Sequence, residues 1–84
     1  MEGLVEIGRI THYYSKIGVA VVALKDRLRV GDTIMIKGAT TDLEQKVDSM
    51  QIEHNNVEIA ESGQSVGLKV QGKVREQDLV YKRQ

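Results

Sequence analysis

The 84-residue chain has no cysteine, which excludes disulfide staples, thiolate metal sites and cysteine nucleophiles together. Twelve Lys and Arg balance twelve Asp and Glu, so a net charge of +0 gives no bulk attraction to nucleic acid or to an anionic membrane. At this length the expectation is one domain, residues 1–84, in which folding removes only about 60 to 65 per cent of the surface the unfolded chain exposes.

The N-terminal run MEGLVEIGRI has no basic segment ahead of a long apolar one. Nor does any apolar run approach the roughly 20 residues that span a bilayer. A soluble, cytoplasmic protein with no membrane partner is the expectation. Aromatic residues are 4% of the chain, Tyr13, Tyr14 and Tyr81 alone, so Val, Ile, Leu, Met and Ala must build the core.

Taken in order, the chain reads as strands punctuated by glycine. Leu4 to Tyr13 is a first strand, with Gly8 as a bulge or a point of close backbone approach. Gly18 to Leu24 is apolar at both alternating sets of positions, as expected for a strand covered on both faces or lining a closed barrel. Lys25 to Asp32 is a turn in which Gly31 supplies positive φ.

Thr33 to Lys37 alternates, with Ile34 and Ile36 on one face. In Asp42 to Glu53 the apolar residues change parity between Val47 and Met50, which a β-bulge near Asp48 and Ser49 would reconcile. His54 to Ser65 reads as a polar connection, Val66 to Val70 as a strand, and Leu79 to Lys82 as a short last strand. These six strands predict an all-β fold, a small closed antiparallel barrel that leaves no edges to protect.

Charge is unevenly distributed. Lys16, Lys25, Arg27 and Arg29 stand against Asp26 alone, and Lys69, Lys73, Arg75, Lys82 and Arg83 stand against Glu76 and Asp78. Between them, Asp42, Glu44, Asp48, Glu53, Glu58 and Glu61 are offset only by Lys46. Such blocks serve either as solvated faces or as interaction surfaces.

LRVGDTIMIKG, then TTDLEQKVDSMQIEHNNVEIAESGQSVGLKV, then VREQDLVY together resemble the second domain of translational GTPases such as elongation factor Tu. YYSKIGVAVV is similar to the first hairpin of that domain in bacterial initiation factors. The chain also resembles the C-terminal module of U32 peptidase-like proteins, whose members act with RNA-modification systems. The resemblance implies a translation-factor domain-2-like barrel that contacts ribosomal RNA, the aminoacyl end of transfer RNA, or neighbouring protein domains. No G-x-x-x-x-G-K-[ST] loop is present, so no nucleotide cofactor and no GTP hydrolysis are expected of this chain. The resemblance further implies a pocket at Gln51, His54 and Ser65, where the family pattern has Glu, Arg and Asn, and Gln64 stands where it has Asp after the glycine. Gln51 retains the capacity to bond a ribose hydroxyl or a base edge.

Tyr13, Tyr14 and Lys16 combine π-faces with a cation, the pairing that stacks bases and holds phosphate. Alternation allows only one of the two tyrosines to face inward. Lys25, Arg27 and Arg29 extend the cationic candidate set. His12 and His54, the only histidines, lack the further ligands of a metal site. The acids sit among polar neighbours with no apolar enclosure to raise a pKa, and no Ser-His-Asp motif is present, so no enzyme activity, cofactor or metal is expected. Two functions follow. One is a non-catalytic module that contacts RNA or a ribonucleoprotein through Tyr13, Tyr14, Lys16, Lys25, Arg27 and Arg29. The other is a protein-interaction module that packs against a separately encoded peptidase-like or GTPase partner. Neutral net charge favours the second, because phosphate neutralisation supplies most non-specific RNA affinity.

Overall fold

The computed structural model describes residues 3–83, which form ten strands and no helix. They are β1 (Leu4–Tyr14), β2 (Val19–Leu24), β3 (Leu28–Arg29), β4 (Thr33–Lys37), β5 (Asp42–Lys46), β6 (Met50–Ile52), β7 (Asn55–Val57), β8 (Ile59–Ala60), β9 (Ser65–Lys69) and β10 (Leu79–Arg83). Eight form an antiparallel sheet in the order β5-β4-β10-β1-β2-β9-β6-β7, and β3 pairs with β8 separately. The all-β antiparallel expectation holds.

The expected closed barrel of about six strands is corrected in two respects. The ladder is open, with β5 and β7 at its ends, and the strands number ten. The sheet curls enough to bring β5 to the end of β9, but a side chain makes that contact. Gln45 donates from Nε2 to the Lys69 carbonyl at 2.9 Å and accepts the Gln71 amide at 2.7 Å on Oε1. One buried side chain thus satisfies the donor and acceptor that a further strand would have paired.

The expected long strand from Asp42 to Glu53 is two strands. Its parity change marks a crossing between distant parts of the sheet, because β5 pairs with β4 whereas β6 pairs with β7 and β9. The segment read as a polar connection, His54 to Ser65, contains β7 and β8. These strands of two or three residues are too short for alternation to register.

Alternation in the sequence places the core where it occurs, in β4 and β9, and β1, β2 and β10 complete it. Ile7, Ile10, Ala20, Val22, Ile34, Ile36, Val66, Leu68 and Val80 are fully buried from β1, β2, β4, β9 and β10, and Tyr13 packs against them. Gly8 lies where the β1–β10 register shifts, and a Cβ there would collide with the Ala23 carbonyl oxygen. The expected close backbone approach is therefore real, and it is made to β2.

One turn recurs three times. At Arg29–Asp32 the Arg29 amide donates to the Asp32 carboxylate (2.9 Å), the Asp32 amide returns to the Arg29 carbonyl (3.1 Å), and Gly31 has φ 97°. At Glu61–Gln64 the same two bonds are 2.7 and 3.2 Å with Gly63 at φ 89°, and at Arg75–Asp78 they are 2.8 and 3.2 Å with Gln77 at φ 77°. The third and fourth residues of each turn also exchange a pair of backbone bonds with one residue elsewhere: Val47, Leu24 and Ile10 respectively. A buried apolar residue precedes each turn (Leu28, Ala60, Val74), and another lies six positions later (Ile34, Val66, Val80). Each turn thus launches a strand, β4, β9 or β10, with its register already fixed.

Candidate interaction groove

The β1–β2 hairpin loop closes with the Gly18 amide donating to the Tyr14 carbonyl at 2.9 Å and Gly18 at φ 66°, a conformation that favours glycine. Two bonds tie the loop to β9: Lys69 Nζ donates to the Ile17 carbonyl (3.2 Å), and the Val70 amide donates to the Gly18 carbonyl (2.9 Å). The loop holds Tyr14 and Ile17 outward, 49% and 59% exposed.

Beside them runs the outer face of β2. Ala20, Val22 and Leu24 are buried, whereas Val19, Val21 and Ala23 are only half-buried. The expectation that β2 is covered on both faces or lines a closed barrel is corrected: this chain covers one face of the strand, in an open sheet. Tyr14, Ile17, Val19 and Val21 form the apolar wall of a groove of about 460 Å³. Its floor is Gly67, paired with Val21, and its polar wall is Gln51, Glu53, His54 and Ser65.

Of the polar wall, Gln51, Glu53 and His54 are carried by the β6–β7 hairpin and Ser65 opens β9. Ile52 and Asn55 pair across a two-residue turn in which Glu53 and His54 have φ 51° and 68°. That mirror-image turn ordinarily takes Asn-Gly. Glu and His hold it at a cost of order 1 kcal/mol each, and both side chains line the groove. Gln51 is held by a bond from its Nε2 to the Asn56 Oδ1 at 3.1 Å.

The sequence-predicted residues are regrouped. Gln51, His54 and Ser65 lie in one groove, and Tyr14 joins them. Tyr13 faces a different recess with Thr40, Thr41, Lys73 and Arg75. Lys16 is on the hairpin loop, but Lys25, Arg27 and Arg29 follow the opposite end of β2, which at about 3.3 Å per residue puts them some ~20 Å away. The six candidate contacts thus form no single patch. Lys25 is paired with Glu6 at 2.7 Å and Arg27 with Glu61 at 3.1 Å, whereas Arg29 has no ion pair among the described residues. His12 lies against Tyr14, with ring centroids 4.2 Å apart and planes tilted by 57°, and its Nδ1 lies 3.3 Å from Glu76. Sequence reasoning missed Ile17, Val19 and Val21, although the apolar outer positions of β2 were the available signal.

No family model matches the chain. An uncharacterized protease of Methanocaldococcus jannaschii is 50% identical over 78 residues, covering 92% of this chain and 19% of that protein. A collagenase of Porphyromonas gingivalis is 37% identical over 78 residues, covering 90% of this chain and 22% of that protein. The chain therefore spans about a fifth of the length of the curated relatives it matches. Among solved structures, the C-terminal domain of a Geobacillus thermoleovorans protein assigned to the U32 peptidases superposes with a TM-score of 0.88 at 22% identity, covering 94% of this chain and 92% of that one. Its selenomethionine variant gives 0.86 at 22% identity, covering 95% and 99%. The fold is that of this C-terminal domain, so the peptidase-associated part of the sequence resemblance is the part these comparisons carry.

Proposed function

We propose that the chain is a non-catalytic interaction domain that packs against a peptidase-like polypeptide. The observation that carries this reading is the uncovered apolar face of Tyr14, Ile17, Val19 and Val21. A contiguous apolar patch rimmed by polar groups is the usual mark of a surface completed by another polypeptide. The relatives support the choice of partner: the matched segment is a fifth of proteins named protease and collagenase, and domains within one chain ordinarily share interfaces of about 600–1,500 Å². Ion pairing of Lys25 and Arg27 with carboxylates supports the protein reading over RNA, because paired cations gain less from phosphate.

The test is to produce the M. jannaschii relative without its matching segment and titrate it with this chain by calorimetry. Stoichiometric binding is expected. Its absence, with both polypeptides folded, overturns the reading.

A further inference from the structure

We infer that the groove takes an extended segment of the partner polypeptide in which a large apolar residue is flanked by Lys or Arg; this rests on the interaction-domain reading above. Gly67 is central to it. Its backbone does not require glycine, because its φ is not positive, and a Cβ there would meet the Val19 methyl at 3.5 Å and the Gln51 carbonyl at 3.8 Å, ordinary contact distances. Internal packing therefore leaves room for a small side chain in mid-strand, where glycine lowers strand stability. What glycine keeps open is the groove floor, giving an apolar side chain direct access to the β9 backbone between Val21 and Gln51.

The charge of the polar wall sets what flanks that side chain. From Val47 to Leu68 the sequence contains no Lys or Arg. Asp48, Glu53 and Glu58 have no ion pair among the described residues, in contrast to Glu6, Glu44, Glu61 and Glu76. Glu53 stands on the groove wall, while Asp48 and Glu58 lie beyond the Gln51–Asn56 bond, in an adjoining depression. A basic residue beside the buried apolar one meets Glu53, with Asp48 and Glu58 adding negative potential from the neighbouring depression. A phosphate-bearing segment meets repulsion from Glu53 instead.

Nuclear magnetic resonance titration with two peptides, Ac-Ala-Lys-Leu-Lys-Ala-NH2 and Ac-Ala-Glu-Leu-Glu-Ala-NH2, tests the inference. The basic peptide is expected to move the signals of Ile17, Val19, Val21 and Gly67, and to bind roughly tenfold more tightly than the acidic one, the difference that two exposed charge reversals supply. Gly67→Leu is expected to abolish binding, and Glu53→Lys to reverse the order of the peptides. Ile17→Glu, at an exposed position, repeats the loss where Gly67→Leu disturbs folding. Equal binding of both peptides, or unchanged binding by folded Gly67→Leu and Ile17→Glu, overturns the inference. The calorimetric titration, repeated with the same variants, separates the two claims. If the truncated relative binds wild type and both variants alike, the groove assignment fails and the interaction-domain reading stands. If it binds none of them, the reading itself fails.

Discussion

Gln77 occupies in the third turn the place that Gly31 occupies in the first. Both residues have positive φ, 77° and 97°, and each donates its amide to a buried residue's carbonyl, Ile10 for Gln77 and Val47 for Gly31. The backbone is the same and the side chain is not, so one copy holds a non-glycine residue in the left-handed region at a cost of about 1–2 kcal/mol.

Gln77→Gly should therefore stabilise the domain by about 0.5–1 kcal/mol, part of the relief being offset by the greater freedom of glycine in the unfolded chain. Gly31→Ala should destabilise by about 1 kcal/mol although a Cβ at Gly31 meets nothing within 4 Å, because the cost is conformational. Urea unfolding midpoints read both. A Gln77→Gly variant no more stable than wild type would show that the three turns are not equivalent.

Gln45 predicts a larger loss. Gln45→Leu strands the Lys69 carbonyl and the Gln71 amide beside a side chain only 6% exposed, and each orphaned group costs about 1–3 kcal/mol. Gln45→Glu keeps the acceptor for Gln71 and loses the donor to Lys69, so it should fall between wild type and Gln45→Leu. Equilibrium unfolding of the three proteins gives the order directly.

Gly38 and Asp78 form a coupled pair. A Cβ on Gly38 would collide with the Asp78 carboxylate, which is buried and accepts the Arg75 amide at 2.8 Å. Gly38→Ala and Asp78→Ala should each destabilise by about 1–3 kcal/mol. The double variant should lose less than their sum by at least about 0.5 kcal/mol, since removing the carboxylate removes the collision. Additive losses in a double-mutant cycle would contradict this geometry.

Alternation located the core contributions of β4 and β9, which are long enough for a period of two to register, whereas β2 is apolar at both sets of positions. Ile34, Ile36, Val66 and Leu68 were legible for that reason. The tripled turn was not, because Gln77 replaces glycine in one copy and Gln64 replaces Asp in another, and only the bond geometry shows them to be equivalent. Closure failed for a related reason: a sequence does not reveal that Gln45 would take the place of a ladder. At the groove, Gln51, His54 and Ser65 are positions that the resemblance groups and the structure places side by side. The outward positions Val19 and Val21 are not legible, because nothing in the seven uncharged residues Gly18 to Leu24 says which face the rest of the chain leaves bare.

The ion pairs of the basic turn carry little stability. Lys25–Glu6 and Arg27–Glu61 join largely exposed side chains, so Lys25→Ala and Arg27→Ala should each cost less than about 1 kcal/mol, falling further at high salt. Thermal unfolding at low and high ionic strength checks this, and a cost well above that range would assign the turn a structural role.

The most direct test of the central claim is methyl resonance spectroscopy of isotope-labelled chain during titration with the truncated M. jannaschii relative. The account predicts that Ile17, Val19 and Val21 shift together, while Val30 and Ile59, also on the surface, stay in place. Binding that shifts Val30 and Ile59 and leaves Ile17, Val19 and Val21 unmoved would contradict it.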